Sequence, residues 1–274
     1  MRPQLCGDCL MWYAGRRMAL HWMRERRRER MRHREFPAPW REIVERNVPF
    51  VRHLPPADRR ELEGDVFVLL REKRFEGAGG LKMTDEIRLS IATQACILLL
   101  HRKTDYYPGL YSVIVYPHAY VAHQTVQERP GIIAEGMQAR LGESWTSGAV
   151  VLSWDDVRSG AADISDGHNV VFHEFAHQLD AQDGAMDGAP ILSDHSMYTT
   201  WARILGQEYE RLQHDTALGR ETLLDQYGAT NPAEFFAVAT EFFFEKPRQL
   251  RDRIPQLYDE LCRYYKQDPA QLLM

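Results

Sequence analysis

Apolar residues recur at helical spacing over two long stretches of this chain, on either side of a short region with strand-like sequence. The first stretch, Trp40–Arg74, is broken by two adjacent prolines, and Asp58 behind them is a predicted N-cap. A further helix is predicted to start behind Thr84 and to continue to Leu100. After Gly167 the pattern is again mostly helical to the last residue.

Two segments between these helical stretches predict β-strands. Tyr111–Tyr116 is rich in β-branched and aromatic residues and ends at Pro117, and Ala149–Trp154 has the same character behind Gly148. Helices, a small sheet and more helices together predict an α+β fold, with one mostly helical domain around a small β-sheet.

The segment His168–Asp180 contains His173, Glu174 and His177 in an H-E-x-x-H arrangement. Helix positions four apart lie one turn apart on the same face, so the two imidazoles could bind one Zn²⁺. Glu174 could hold the attacking water, act as general base and pass its proton to the leaving amine. The sequence therefore predicts a zinc-dependent peptidase with a zincin-like domain, in which the small sheet lies beside this helix.

Apolar residues around the motif support a packed helix, because they follow the spacing of a core-facing stripe: Phe172, Phe175, Ala176 and Leu179. Asp180 continues the face of the two histidines and could orient one of them, or it could be an exposed residue at the helix end. The alternative for the whole motif is a pair of surface histidines on an ordinary amphipathic helix.

A catalytic zinc ion usually has three protein ligands, and four downstream residues are candidates for the third. Asp183 would fit an extended motif, but that motif requires glycine where this chain has Asp180. His195 lies among Gly, Pro and Ser residues and is expected to be exposed. Glu234 and Glu241 share one face of a later predicted helix.

That later helix begins with Asn231 as predicted N-cap and Pro232 in the first turn, and it is apolar nearly all round. A carboxylate in a buried helix needs a neutralising partner, which zinc would provide. This favours Glu234 as the ligand and Glu241 as a carboxylate that supports the site. Asn231 and Glu234 also match a capping box, which would explain Glu234 without a metal.

Several stretches in the same order resemble the Mlc titration factor A family, from about Pro39 to the C-terminus. The stretches that carry the resemblance are His173–Asp180, Tyr227–Val238, Ile114–Pro117, Gly142–Trp145, Val151–Asp155 and Tyr264–Pro269. The two stretches with the candidate zinc ligands also resemble the catalytic domain of anthrax lethal factor.

The resemblance implies a cytoplasmic bacterial zinc metallopeptidase of the gluzincin type. It implies one Zn²⁺ on His173, His177 and Glu234, Glu174 as the base, and Tyr227 as a phenol that stabilises the oxyanion. It also implies aminopeptidase activity on small peptides and binding of the repressor Mlc, which controls sugar-uptake genes. The alternative is a regulatory protein that sequesters such a repressor, with a structural or vestigial metal site.

Composition limits the classes of binding partner and the cellular compartment that we expect for this protein. The net charge of −5 over 274 residues argues against attraction of the whole surface to nucleic acid, so no direct nucleic-acid partner is expected. No apolar run is long enough for a membrane span. The four cysteines, Cys6, Cys9, Cys96 and Cys262, do not suggest a disulfide framework, which favours a reducing cytoplasm.

Residues 1–35 are predicted to form a separate basic segment before a metallopeptidase domain of residues 36–274. Nine arginines lie between positions 16 and 34, against Glu25 and Glu29. Because the glutamates dilute the positive charge, the favoured interpretation is a solvated basic helix. The alternative is an arm that binds nucleic acid or anionic lipid. The segment also departs from what the family resemblance leads us to expect.

Overall fold

The computed structural model describes residues 21–118 and 148–273. Its helices are α1 (residues 21–32), α2 (Ala38–Asn47), α3 (Pro56–Glu72), α4 (Asp85–Ile97), α5 (Trp154–Ala162), α6 (Val170–Asp180), α7 (Met197–Ala217), α8 (Pro232–Glu245), α9 (Pro247–Arg253), α10 (Pro255–Tyr265) and α11 (Pro269–Leu272). Its strands are β1 (Arg74–Gly77), β2 (Ser112–Tyr116) and β3 (Ala149–Ser153). Short 3₁₀ turns occupy Pro49–His53, Ala181–Asp183 and Gln226–Ala229. The prediction of a mostly helical α+β fold is confirmed.

The three strands form one parallel sheet in the order β1, β2, β3. Val113 at the centre of the sheet pairs with Phe75 of β1 and with Val150 of β3. Alternate residues of β2 and β3 are buried, as expected for strands with one face on the core. The helix α4 connects β1 to β2, since parallel strands require a crossover.

The sequence pattern does not predict strand β1, because it extends the first helical stretch to Arg74. The helix α3 in fact ends at Glu72, and three of the four residues of β1 are exposed. An exposed edge strand shows no apolar alternation, so its sequence carries no strand signal. Strands β2 and β3 were predicted correctly, except that Tyr111 precedes β2 and Trp154 begins α5 behind the N-cap Ser153.

Of the two N-caps predicted in the first half of the chain, one is confirmed and one is wrong. Thr84 caps α4 as predicted, because its hydroxyl accepts the backbone N–H of Ile87. The prediction of Asp58 as an N-cap is wrong: Pro55 occupies that position and Asp58 lies in the first turn of α3. Proline at the first helical position presets the backbone angle, so this helix starts without a side-chain cap.

The described part of the basic segment packs against the rest of the fold. Arg28 of α1 is only 2% exposed, and its guanidinium donates to both carboxylate oxygens of Glu72 at 2.7 and 2.8 Å. The same side chain donates to Glu25 at 2.7 Å and to Asp105 at 2.6 Å. These contacts fix α1 to α3 and to the turn after α4. They cross the proposed division between residues 35 and 36, which itself stays a prediction.

Cys96 is buried, Cys262 is partly buried, and both are free thiols. Cys6, Cys9 and the family-like stretch Gly142–Trp145 lie outside the described residues. Among the described helices, none has the length and apolar character that crossing a membrane requires.

We expect Arg28→Met to lower the free energy of unfolding by about 2 kcal/mol, because it leaves the carboxylates of Glu72 and Asp105 without their shared partner. Urea denaturation followed by circular dichroism measures this change. The matched control is Arg27→Met on the exposed side of α1. Equal stability of the two variants would contradict the anchoring role of Arg28.

Candidate metal centre

The start of α6 is fixed by Asn169, which caps the helix and ties it to two neighbours. Its side-chain oxygen accepts the N–H groups of Val171 and Phe172 at 3.1 and 3.0 Å. Its side-chain nitrogen donates to Gln94 of α4 at 2.9 Å and to Glu245 of α8 at 3.0 Å. These two hydrogen bonds therefore hold the start of α6 against α4 and α8.

The helix α8 starts as the sequence predicts. Asn231 is its N-cap, its side-chain oxygen accepts the N–H of Glu234 at 3.0 Å, and Pro232 occupies the first turn. Every residue of α8 from Ala233 to Glu245 is buried, and α8 packs directly against α6. This contact brings the glutamates of α8 up to the histidines of α6.

Three side chains converge where the two helices meet. The Nε2 atom of His173 lies 3.0 Å from Oε2 of Glu234 and 3.2 Å from Nε2 of His177. The Nε2 atom of His177 lies 3.3 Å from the same oxygen of Glu234. Among the described residues, these three form the cluster that could hold a metal ion.

The size of this triangle fits zinc. Zinc binds imidazole nitrogen at about 2.0–2.1 Å, and a tetrahedron's edge is about 1.6 times its centre-to-corner distance, so ligand atoms lie about 3.3 Å apart. The three measured separations are 3.0, 3.2 and 3.3 Å. Two histidines and one carboxylate are also the donor set of hydrolytic zinc sites that keep a position open for water. The residues present therefore fit a catalytic zinc ion.

The charges of the cluster are matched. Burial raises the pKa of Glu234, but hydrogen bonds from His173 and His177 outweigh this effect and bring the pKa to about 2. Burial lowers the pKa of His173, but the carboxylates of Glu234 and Glu241 hold this pKa well above its usual range. Glu234 is therefore an anion at neutral pH, as a metal ligand must be.

Glu241 lies directly behind His173. Its Oε2 atom is 3.0 Å from Nδ1 of His173, and its Oε1 atom accepts the N–H of Asn169 at 2.8 Å. A carboxylate on Nδ1 of a histidine fixes the ring orientation and directs the Nε2 lone pair toward the metal position. Glu241 is thus positioned to orient His173, and it joins the helix cap to the candidate metal centre.

The other sequence candidates lie elsewhere. His195 is exposed, and the carboxylate of Asp183 accepts the N–H of Ala185 in its own turn. Asp180 is fully buried, and its Oδ2 atom accepts the N–H of Gly188 at 2.9 Å. Its described hydrogen bonds therefore go to the loop after α6 and not to a histidine of the cluster.

A cleft of about 420 Å³ opens beside the cluster, and His173, Tyr227 and Glu241 form part of its wall. Tyr227 is 36% exposed, and its ring centroid lies 5.9 Å from that of His173. Glu174 is buried on α6, next to His173 in sequence.

Sequence reasoning missed several residues of this site. Asn169 had a usable signal, because it directly precedes an apolar helical run, where N-cap residues are expected. Glu245 shared a buried apolar helix with the two glutamates that were identified. Asp156, Asp166 and Asp225 line the cleft but come from unrelated turns and helices, so no sequence spacing could have linked them.

We expect Glu234→Gln to abolish stoichiometric zinc binding, and Glu241→Gln to weaken zinc affinity about 10–100-fold, because the amide cannot orient His173 as the carboxylate does. Competition with a chromophoric chelator measures both affinities. Asp183→Asn is the control and should bind zinc like the unaltered protein. Equal affinities in all four proteins would place the metal elsewhere.

Comparisons with known proteins agree with this geometry. A family model described as glucose-regulated metallo-peptidase M90 matches residues 21–266. The match includes α1, so it reaches upstream of the point near Pro39 where the resemblance was expected to begin.

An uncharacterized protein from Synechocystis sp. is 40% identical over 250 residues, which cover 91% of this chain and 90% of that protein. Mlc titration factor A from Yersinia pestis is 32% identical over 238 residues, 86% of each chain, and the same factor from Yersinia pseudotuberculosis matches equally well. The sequence resemblance to the Mlc titration factor A family is thereby confirmed. The chain belongs to the glucose-regulated metallopeptidase M90 family.

Proposed function

We propose that this protein is a zinc-dependent aminopeptidase that cleaves small peptides in the bacterial cytoplasm. The observation that carries the proposal is the convergence of His173, His177 and Glu234 at tetrahedral ligand spacing, with Glu174 between the two histidines in sequence. The free thiols of Cys96 and Cys262 support a reducing compartment.

In the proposed hydrolysis, Glu174 transfers protons and Tyr227 stabilises the developing negative charge. A bound zinc ion would acidify a water molecule and polarise the scissile carbonyl. The carboxylate of Glu174 accepts a proton from the attacking water and delivers it to the leaving amine. The phenol of Tyr227, at the exposed wall of the cleft, donates a hydrogen bond to the oxygen on which negative charge develops.

The charge of the cleft supports a substrate with a free amino group. Asp156, Asp166 and Asp225 line it, and none of its described lining residues is Lys or Arg. A protonated α-amino group would be attracted to these carboxylates, and it would bring the first peptide bond toward the zinc ligands. This charge pattern favours an aminopeptidase over an endopeptidase.

We expect Glu174→Gln to lower kcat on aminoacyl anilides by about 10²–10⁴-fold, because the amide cannot accept the proton of the attacking water. Zinc content should stay at that of the unaltered protein. The exposed Glu210→Gln is the matched control. A zinc-loaded Glu174→Gln protein with full activity would contradict the role of Glu174 as general base.

Tyr227→Phe tests the phenol by itself, because it removes one oxygen and keeps the ring. We expect kcat to fall about 10–100-fold, below the largest effects of buried oxyanion donors because this residue is partly exposed. KM should change little if the hydrogen bond forms mainly in the transition state. A rise in KM at constant kcat would instead assign Tyr227 to substrate binding.

Asp225→Asn tests the acidic cleft. The variant keeps the oxygen that accepts the N–H of Tyr227, so the local turn should be preserved. We expect the preference for free over N-acetylated substrates, measured as a ratio of kcat/KM values, to fall about tenfold on loss of one nearby charge. The control is Asp187→Asn, which also caps a turn but is not among the cleft's described lining residues. An unchanged ratio for Asp225→Asn would exclude its role in amine recognition.

The second candidate function is capture of a transcriptional repressor of sugar uptake. It is favoured by the 32% identity to proteins named Mlc titration factor A over 86% of both chains. In the strict form of this alternative, the metal site is structural or vestigial. Glu174→Gln separates the two functions, because a repressor-binding protein should still capture a purified Mlc-type repressor after losing its base.

A further inference from the structure

The structure shows which charged residues of the basic helix α1 pair with one another. The sequence places Glu25 and Glu29 among the arginines, which suggests that they dilute its positive charge. In the folded protein, Glu25 pairs with buried Arg28 at 2.7 Å, and Glu29 pairs with Arg32 at 2.9 Å. Both glutamates are therefore engaged by arginines that contact the rest of the fold.

Arg24 also pairs with Asp105, at 2.9 Å, while four further arginines of α1 and of the turn behind it are exposed. They are Arg26, Arg27, Arg30 and Arg34, and none of them forms an ion pair with a described residue. Their spacing of three or four positions puts most of them on one helix face. The described side-chain contacts of Arg26 and Arg34 are aromatic: the Arg26 guanidinium lies 4.0 Å from the ring centroid of Trp22, and that of Arg34 lies 5.7 Å from the ring centroid of Phe67. The face thus carries four positive charges without acidic partners in the described structure.

Large apolar groups extend the same surface at the first described turn of α1. Trp22 is 55% exposed and Met23 is 51% exposed. Met23 precedes Arg27 by four residues and Arg30 by seven, so it continues the arginine face. Tryptophan with neighbouring arginines is typical of helices that lie at a membrane interface, where the indole enters the headgroup region and the arginines contact phosphates. Nucleic-acid binding would use the arginines but would leave Met23 without an apolar environment.

The position of this face makes it independent of the candidate metal centre. The anchoring of Arg28 to Glu72 and Asp105 directs the arginines of α1 that lack ion pairs away from the fold. No described residue that lines the cleft belongs to α1. Binding at α1 would therefore leave the cleft accessible, and it does not depend on the proposed peptidase activity.

We propose that the exposed face of α1, with Trp22, Met23, Arg26, Arg27, Arg30 and Arg34, binds the surface of an anionic phospholipid membrane. The arginines pair with lipid phosphates, and the two apolar side chains enter the headgroup region. The interaction is peripheral and screened by salt. It would hold a protein of net charge −5 at a surface that repels most of its exterior.

The test is co-sedimentation of the full chain with vesicles of phosphatidylcholine alone or mixed with phosphatidylglycerol. We expect binding to the mixed vesicles at low salt, no binding to phosphatidylcholine alone, and release at high salt. The variant Arg26→Gln/Arg27→Gln/Arg30→Gln should lower the partition coefficient about 100-fold, from about fivefold per arginine at an anionic surface. Trp22→Ala/Met23→Ala should weaken binding while keeping its dependence on salt.

The matched control is Arg203→Gln/Arg251→Gln/Arg253→Gln, which removes the same charge from exposed positions on α7 and α9. It should bind mixed vesicles like the unaltered protein, and all variants should keep the same thermal midpoint. Absence of vesicle binding at low salt would overturn the proposal, as would equal losses in the two triple variants. Binding of DNA or RNA in place of vesicles would assign the face to nucleic acid and overturn it too. Hydrolysis of soluble anilides should not change in the α1 variants, which separates this test from that of the peptidase.

Discussion

The packing of α6 against α8 is the contact on which the candidate metal centre depends. Neither helix carries a complete ligand set: α6 supplies the two histidines, and α8 supplies Glu234. The relative position of the helices is fixed near the metal position, because Asn169 caps α6 and donates to Glu245 of α8. Glu241 adds a second link, since it contacts both the backbone of Asn169 and the ring of His173. The same hydrogen bonds that start the helix therefore align the histidine.

The helix α8 is unusual because it buries three carboxylates within a strongly apolar sequence. Glu234, Glu241 and Glu245 are each less than a tenth exposed. Burying an ionised carboxylate is costly unless hydrogen bonds or an opposite charge compensate for it. Burial raises the pKa of Glu245 to about 9 despite its bond from Asn169, so this residue is neutral at neutral pH. Glu234 remains ionised because the two histidines face it. Glu234 and Glu241 contact His173 of the candidate metal centre, and Glu245 accepts a hydrogen bond from the cap residue Asn169.

In the N-terminal helix α1, tertiary contacts decide which arginines stabilise the fold and which face solvent. Arg28 and Arg32 face inward, where Arg28 meets Glu72 and Arg32 donates to the phenol of Tyr106. Arg26, Arg27 and Arg30 instead face solvent without acidic partners among the described residues. A basic run in sequence is thus divided into a structural face, which stabilises the fold, and an exposed face, which is available for anionic surfaces.

The sequence by itself determined the local features of this protein. The mostly helical α+β class, the strands β2 and β3, the caps Thr84 and Asn231, and the H-E-x-x-H helix all follow from residue spacing and local hydrogen bonding, which depend on near neighbours in the chain. Residues far apart in sequence required the tertiary structure. Sequence spacing left four candidates for the third ligand, and only the packing of α8 brought Glu234 to the two histidines.

Strand β1, the acidic wall of the cleft and the ion pairs of Arg28 with Glu72 and Asp105 were likewise decided by tertiary structure. An exposed edge strand lacks an apolar pattern, and ion pairs between distant residues leave no periodic signal in one sequence. One physical reason explains why the local features follow from the sequence and these contacts do not. Helix propensity and capping act within about one turn of the backbone, whereas ligand geometry and charge compensation depend on which helix faces meet in space.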